Sequence, residues 1–198
     1  MAEHYYSEHP HAESKPHALN ATLRQHDLIF TTDAGVFSKN AIDFGSSLLI
    51  ESFREPAVLG DFLDMGCGYG PIGIALAKAF SKRKVTMVDI NERAVALAKK
   101  NAAENQVAPV VLQGSLFEHV SGEFAAILTN PPIRAGKQVV HQIFKDAHRF
   151  LKENGELWTV IQKKQGAPSA LKMLQTLYKR VDVVAKKKGY FIFCARKG

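Results

Sequence analysis

The chain has 198 residues, 46% hydrophobic and 23% charged, enough to close one sizeable core and too few for two ordinary domains. Its two cysteines, Cys67 and Cys194, stand far apart and fit neither a disulfide framework nor a metal-ligand spacing, so no metal is expected. A net charge of +7 favours a polyanionic partner, while the lack of a secretory h-region or of any run of membrane-spanning length predicts a soluble, cytoplasmic protein without membrane contact.

The first twenty residues carry His4, His9, His11 and His17 with two prolines and few aliphatics. They read as part of a partly ordered arm, residues 1–27, and one domain is expected over residues 28–198. A short strand at 28–32 and a turn at 34–38 precede a helix with Leu48, Leu49, Ile50 and Phe53 on its apolar face. From residue 58 short apolar runs alternate with segments of helical period, the pattern of a parallel sheet covered by helices. Strands are predicted at 61–64, 84–88, 110–113, 125–129, 156–161, 181–185 and 190–195, and helices at 72–80, 92–105, 138–151 and 169–178. Lys186 to Gly189 leaves no room for a crossover helix, so the last two strands should form an antiparallel hairpin. The fold class is therefore α/β: a Rossmann-like, seven-stranded, mostly parallel sheet with helices on both faces and an antiparallel C-terminal hairpin.

The segment Asp64-Met65-Gly66-Cys67-Gly68-Tyr69-Gly70 runs from a strand through clustered glycines into a helix opened by Pro71. Glycines there let a ligand approach the backbone where strand meets helix. Asp89, at the end of the second predicted strand, suits the two hydroxyls of a bound ribose. NAD and S-adenosylmethionine both carry an adenosine ribose, so Asp89 does not separate them. Asp64 does: a carboxylate ahead of the first glycine repels a pyrophosphate and suits a cationic amino-acid group.

Residues 61–74 resemble motif I of the class I S-adenosylmethionine-dependent methyltransferases, and Val88-Asp89-Ile90-Asn91 resembles the acidic end of their second strand. Gln113-Gly114-Ser115-Leu116-Phe117 resembles the segment that closes over the adenine. The resemblance implies S-adenosylmethionine as cofactor, held by Asp64, Gly66, Cys67, Gly68, Gly70, Asp89, Ile90, Ser115, Leu116 and Asn130. Many members place an aspartate where Ser115 stands, so its hydroxyl or the Leu116 amide must serve the base.

Asn130-Pro131-Pro132 follows the apolar run 125–129, at a strand's carboxyl end, where open α/β sheets hold their reactive groups. The Asn130 amide oxygen can accept one N–H of a planar amino group and the Pro131 carbonyl the other, while Pro132 stiffens the turn. This frees a nitrogen lone pair for methylation, by positioning and charge stabilisation. Relatives that methylate amino groups carry an aromatic residue next; here it is Ile133, which packs but does not stack, and Phe37 is the candidate aromatic. Arg134 and Lys137 are candidates for phosphates beside a flipped base, with Lys163, Lys164 and Lys186 to Lys188 extending that surface. His141 and His148 receive no catalytic role.

Residues 32–50 together with these motifs resemble the ribosomal RNA guanine-N2 methyltransferases, whose catalytic domain this chain matches over nearly its whole length. The resemblance implies methylation of a guanine N2 amine, with ribosomal RNA or a ribosomal subunit as partner. The alternatives are a protein glutamine N-methyltransferase, a non-catalytic RNA-binding or assembly module of the same fold, and, less well matched to one short domain, an NAD dehydrogenase.

Overall fold

The computed structural model describes residues 8, 13–38 and 40–198; His4, His9 and His11 of the expected arm lie outside them. The described chain opens on an antiparallel hairpin, β1 (His17–Leu23) and β2 (His26–Thr32), with Leu23 facing His26. It continues through α1 (Phe44–Ser52), β3 (Asp61–Met65), α2 (Pro71–Ala79), β4 (Val85–Asp89), α3 (Glu92–Glu104), β5 (Val110–Gln113) and β6 (Phe124–Thr129). Then come α4 (Lys137–Phe150), β7 (Leu151–Gln162), α5 (Ala167–Leu177), β8 (Arg180–Lys187) and β9 (Tyr190–Arg196), with 3-10 turns at Ile133–Ala135 and Lys163–Gln165.

β3 to β9 form one seven-stranded sheet in the order β5-β4-β3-β6-β7-β9-β8. The first five positions are parallel and β9 runs antiparallel between β7 and β8, as the sequence predicts. Successive residues of each central strand feed opposite faces. Phe62, Met87, Leu128 and Trp158 join the core under α1, α2, α3 and the hairpin. Leu63, Val88, Ile127 and Leu157 join the core under α4 and α5. Burial on both faces explains why β6, Phe-Ala-Ala-Ile-Leu-Thr, is buried at every position and reads as a continuous apolar run rather than an alternating one.

Two differences from expectation have physical causes. Part of the expected arm is strand: β1 pairs along all of β2, and the reversal at Arg24 and Gln25 puts both in the left-handed region, φ 48° and 65°. That turn ordinarily selects Asn or Gly, so the sequence carries no hairpin signal there. β7 begins at Leu151 rather than 156 because Leu151 pairs with Phe124 ahead of a register shift in which Asn154 turns left-handed, φ 59°.

The strand order reverses between β3 and β6, whose neighbours in sequence lie on opposite sides of the sheet. A crevice opens outside the carboxyl ends of these two strands. The glycine turn follows one and Asn130 the other.

Candidate active site

The glycine turn is built from both sides. Gly66 and Cys67 N–H groups donate to the Val88 carbonyl at 2.8 and 2.9 Å, fastening the end of β3 to β4. Gly66 and Gly68 take φ of 74° and 57°, and a Cβ on either would meet nothing within 4 Å. Both face an open cavity. Gly70 differs: a Cβ there would press on Ile74 Cδ1 at 2.8 Å and Met87 Cε at 2.9 Å, so this glycine lets α2 pack on the sheet and does not line the cavity.

Asp64 and Asp89 answer to opposite needs. Asp64 is fully buried; its Oδ2 accepts from the Gly73 N–H at 2.8 Å, and its Oδ1 has no hydrogen-bond partner. Burial, reinforced by the charge of Asp89 and opposed by the Gly73 N–H, pushes its pKa up to about 7. Asp64 is not part of the cavity lining; a buried acceptor without a partner can be completed by its own proton, by a water or by a cationic donor. Asp89 accepts from the Gly68 N–H at 2.7 Å and the Asn91 N–H at 2.9 Å and lines the cavity, its pKa raised by burial against these hydrogen bonds. Cys67, between them, is held as a thiol because burial and the two carboxylates raise its pKa.

The cavity encloses about 900 Å³ of empty space including its open mouth. Phe37, Gly66, Cys67, Gly68, Asp89, Ile90, Leu116, Asn130, Pro131 and Pro132 line it, so most of the expected site residues converge there. Leu116 stands on a left-handed backbone, φ 51°, and Gly114 N–H donates to the Asp89 carbonyl at 3.0 Å, closing the loop on that side. Ser115 points elsewhere: it is exposed and its N–H faces Glu118 Oε2 at 3.4 Å. Ile133 and Lys137 line a second depression between α4 and α5, and Arg134 is exposed on the 3-10 turn.

Asn130 Nδ2 donates to Asp43 Oδ2 at 3.0 Å and to Ser46 Oγ at 2.9 Å. Both amide hydrogens are thereby committed, and Oδ1 is the end left to accept. Asp43 is also the N-cap of α1, accepting from the Ser46 N–H at 3.1 Å. Asp43 and Ser46 are not among the site residues expected from the sequence; the Asp-x-x-Ser spacing ahead of an apolar helix is their only local signal.

Phe37 reaches the rim because its loop is tied to α3. Asn91 Nδ2 donates to the Gly35 carbonyl at 2.9 Å and Arg93 to the Ala34 carbonyl at 2.6 Å. His141 and His148 lie on α4 outside the cavity, with pKa values lowered by burial and neighbouring lysines. Among the described residues no group of three or more His, Cys, Asp or Glu could hold a metal, and no helix is long and apolar enough to cross a membrane.

Residues 27–194 match the methyltransferase small domain family. A Bacillus subtilis (strain 168) protein described as uncharacterised, YbxB, is 56% identical over 200 residues covering all of both chains. The ribosomal RNA small subunit methyltransferase C of Actinobacillus succinogenes is 37% identical over 127 residues, 62% of this chain and 38% of that protein. Among solved structures, a T. thermophilus 16S rRNA N2 methyltransferase in complex with AdoMet and guanosine superposes with a TM-score of 0.82 at 25% identity, covering 94% of this chain and 52% of that one. The chain thus spans about half or less of the named ribosomal RNA methyltransferases it matches.

Proposed function

The chain belongs to the methyltransferase small domain family, S-adenosylmethionine-dependent methyltransferases, and from that premise we propose that it methylates the exocyclic N2 amine of a guanine in ribosomal RNA. The observation that carries the amine is the fixed orientation of Asn130, whose amide nitrogen is held by Asp43 and Ser46.

The residues present fit S-adenosylmethionine. The orphan Asp64 Oδ1 suits its cationic ammonium, directly or through water, Asp89 its ribose diol, and the bare backbone of Gly66 and Gly68 leaves space for it. Bound there, it supplies an electrophilic methyl group on a positively charged sulfur. A guanine amine is planar because its lone pair is delocalised into the ring. Asn130 Oδ1 accepts one of its hydrogens and the Pro131 carbonyl the other, which favours the pyramidal, nucleophilic nitrogen and stabilises the positive charge it acquires. Pro132 fixes the turn that aims both oxygens. The proton leaves after transfer, so no strong base is required, and neither His141 nor His148 lines the cavity.

Incubation with labelled S-adenosylmethionine and ribosomal RNA, beside release-factor protein, tests the reading. Label is expected in RNA as N2-methylguanosine; label in protein alone sinks it. Asn130→Ala should lower methyl transfer at least about 100-fold while cofactor affinity by calorimetry stays within about threefold. Equal loss of both would move Asn130 to a cofactor role.

A further inference from the structure

Five exposed lysines gather beside the candidate site. β7 continues three residues past Thr159, the register partner of Thr129, and ends in the turn Lys163–Gln165. β9 starts opposite it, Tyr190 pairing with Gln162, so the tip of the β8–β9 hairpin abuts that turn, with Lys163 N–H donating to the Gly189 carbonyl at 2.7 Å. Lys163, Lys164, Lys186, Lys187 and Lys188 are all exposed at the carboxyl edge of the sheet, the edge that carries Asn130. Among the described residues none of the five takes part in an ion pair.

Aromatic rings join this strip to the catalytic turn. Lys188 Nζ lies 4.8 Å from the Phe44 ring centroid, and Phe44 and Tyr190 rings are 5.5 Å apart and half-buried. Phe44 directly follows Asp43, the residue that holds Asn130. From β6 to β9 is two strand spacings, about 10 Å. Cations without ion-pair partners interleaved with half-buried rings suit single-stranded nucleic acid, phosphates on the lysines and a base on the rings, where it would take the place of Lys188 over Phe44. An acidic peptide would satisfy the charges and leave the rings without a planar partner.

We propose that this strip binds the single-stranded RNA flanking the target nucleotide and leads it across Phe44 and Tyr190 to Asn130; the inference rests on the RNA reading of the site. The test is anisotropy of a fluorescein-labelled single-stranded RNA oligonucleotide across a KCl series. The variant is Lys163→Gln, Lys164→Gln and Lys187→Gln together. The control is Lys82→Gln, Lys84→Gln and Lys99→Gln, which removes equal charge from exposed positions away from this edge. Three lost phosphate contacts should make the slope of log affinity against log salt shallower by about 2, at about 0.7 per contact, and weaken binding at low salt at least about tenfold. The control should bind as wild type, and S-adenosylmethionine affinity should be equal in all three. If wild type binds and methylates RNA while the strip variant matches the control, the strip is not the RNA surface although the proposed function stands. If polyglutamate competes as well as RNA, the strip is a general polycation and the proposal fails. If wild type neither binds nor methylates RNA, the proposed function falls and the strip with it.

Discussion

Asn130 has its amide nitrogen committed to Asp43 and Ser46, so the acceptor face it presents is set by a helix cap 87 residues away in sequence. A hydrogen bond to a charged partner contributes about 1.5–3 kcal/mol, which makes Asp43 the stronger of the two restraints. Asp43→Ala should lower kcat about 10- to 100-fold with cofactor affinity unchanged, and also cost about 1 kcal/mol of stability through the lost cap. Asp43→Ser separates these effects: its hydroxyl still caps α1, but the shorter side chain cannot also reach Asn130, which in the native protein shares the Asp43 Oδ2 with the Ser46 N–H. Stability should return and kcat should not; recovery of both would reduce Asp43 to a cap. Gly66, Gly68, Asp89 and Asn130, which line the cavity, were legible in the sequence because glycine clusters and strand ends announce themselves locally; Asp64, expected beside them, is fully buried and outside the lining. Asp43 and Ser46 were not, because their contact with Asn130 is made only by folding. Ser115 and Ile133, placed by motif alignment, stand outside the cavity because a motif position does not fix where a side chain points.

At the scale of elements, the seven sheet strands and the helices between them were readable from alternating periods, whereas β1 was hidden. Its turn lacks Asn or Gly, and its sequence, His-Ala-Leu-Asn-Ala-Thr-Leu, buries fully only Leu23. What holds the hairpin is side-chain chemistry on α3. Asn101 accepts from the Thr31 N–H at 2.7 Å and donates to the Thr31 carbonyl at 2.9 Å and the Tyr69 carbonyl at 2.8 Å. Asn105, one helical turn on, makes the same pair of bonds to Ile29. The two amides complete the free edge of β2 as a neighbouring strand would. Asn101→Ala leaves three buried backbone groups without partners, at about 1–3 kcal/mol each, so urea unfolding should show a loss of about 3 kcal/mol or more and amide exchange at Thr31 should quicken. Because Tyr69 belongs to the glycine turn, cofactor affinity should fall as well. Asn105→Ala touches no part of that turn and should cost stability alone; equal effects on cofactor from both variants would contradict this coupling.

For the whole molecule, Asp64 links folding, pH and cofactor. Its pKa is raised from 3.8 to about 7 by burial and by Asp89, so the folded state prefers the protonated carboxyl. A group raised in this way stabilises the fold fully below its unfolded value and loses that contribution as pH climbs through the folded one. The free protein should therefore lose stability between about pH 4 and pH 7, and the raised pKa of Asp89 adds in the same direction. A cationic ammonium at Asp64 favours the ionised form, so S-adenosylmethionine should bind more tightly as pH rises toward 7 and release a proton on binding below it. Calorimetry at pH 6 in two buffers of different ionisation enthalpy reads that proton directly. Asp64→Asn should flatten the pH dependence of unfolding, leave the free protein more stable at pH 8, weaken cofactor binding and abolish the buffer dependence. A wild-type binding enthalpy independent of buffer would show that the ammonium does not meet Asp64. The orphan oxygen under α2 would then be a cost the fold carries without return from the ligand.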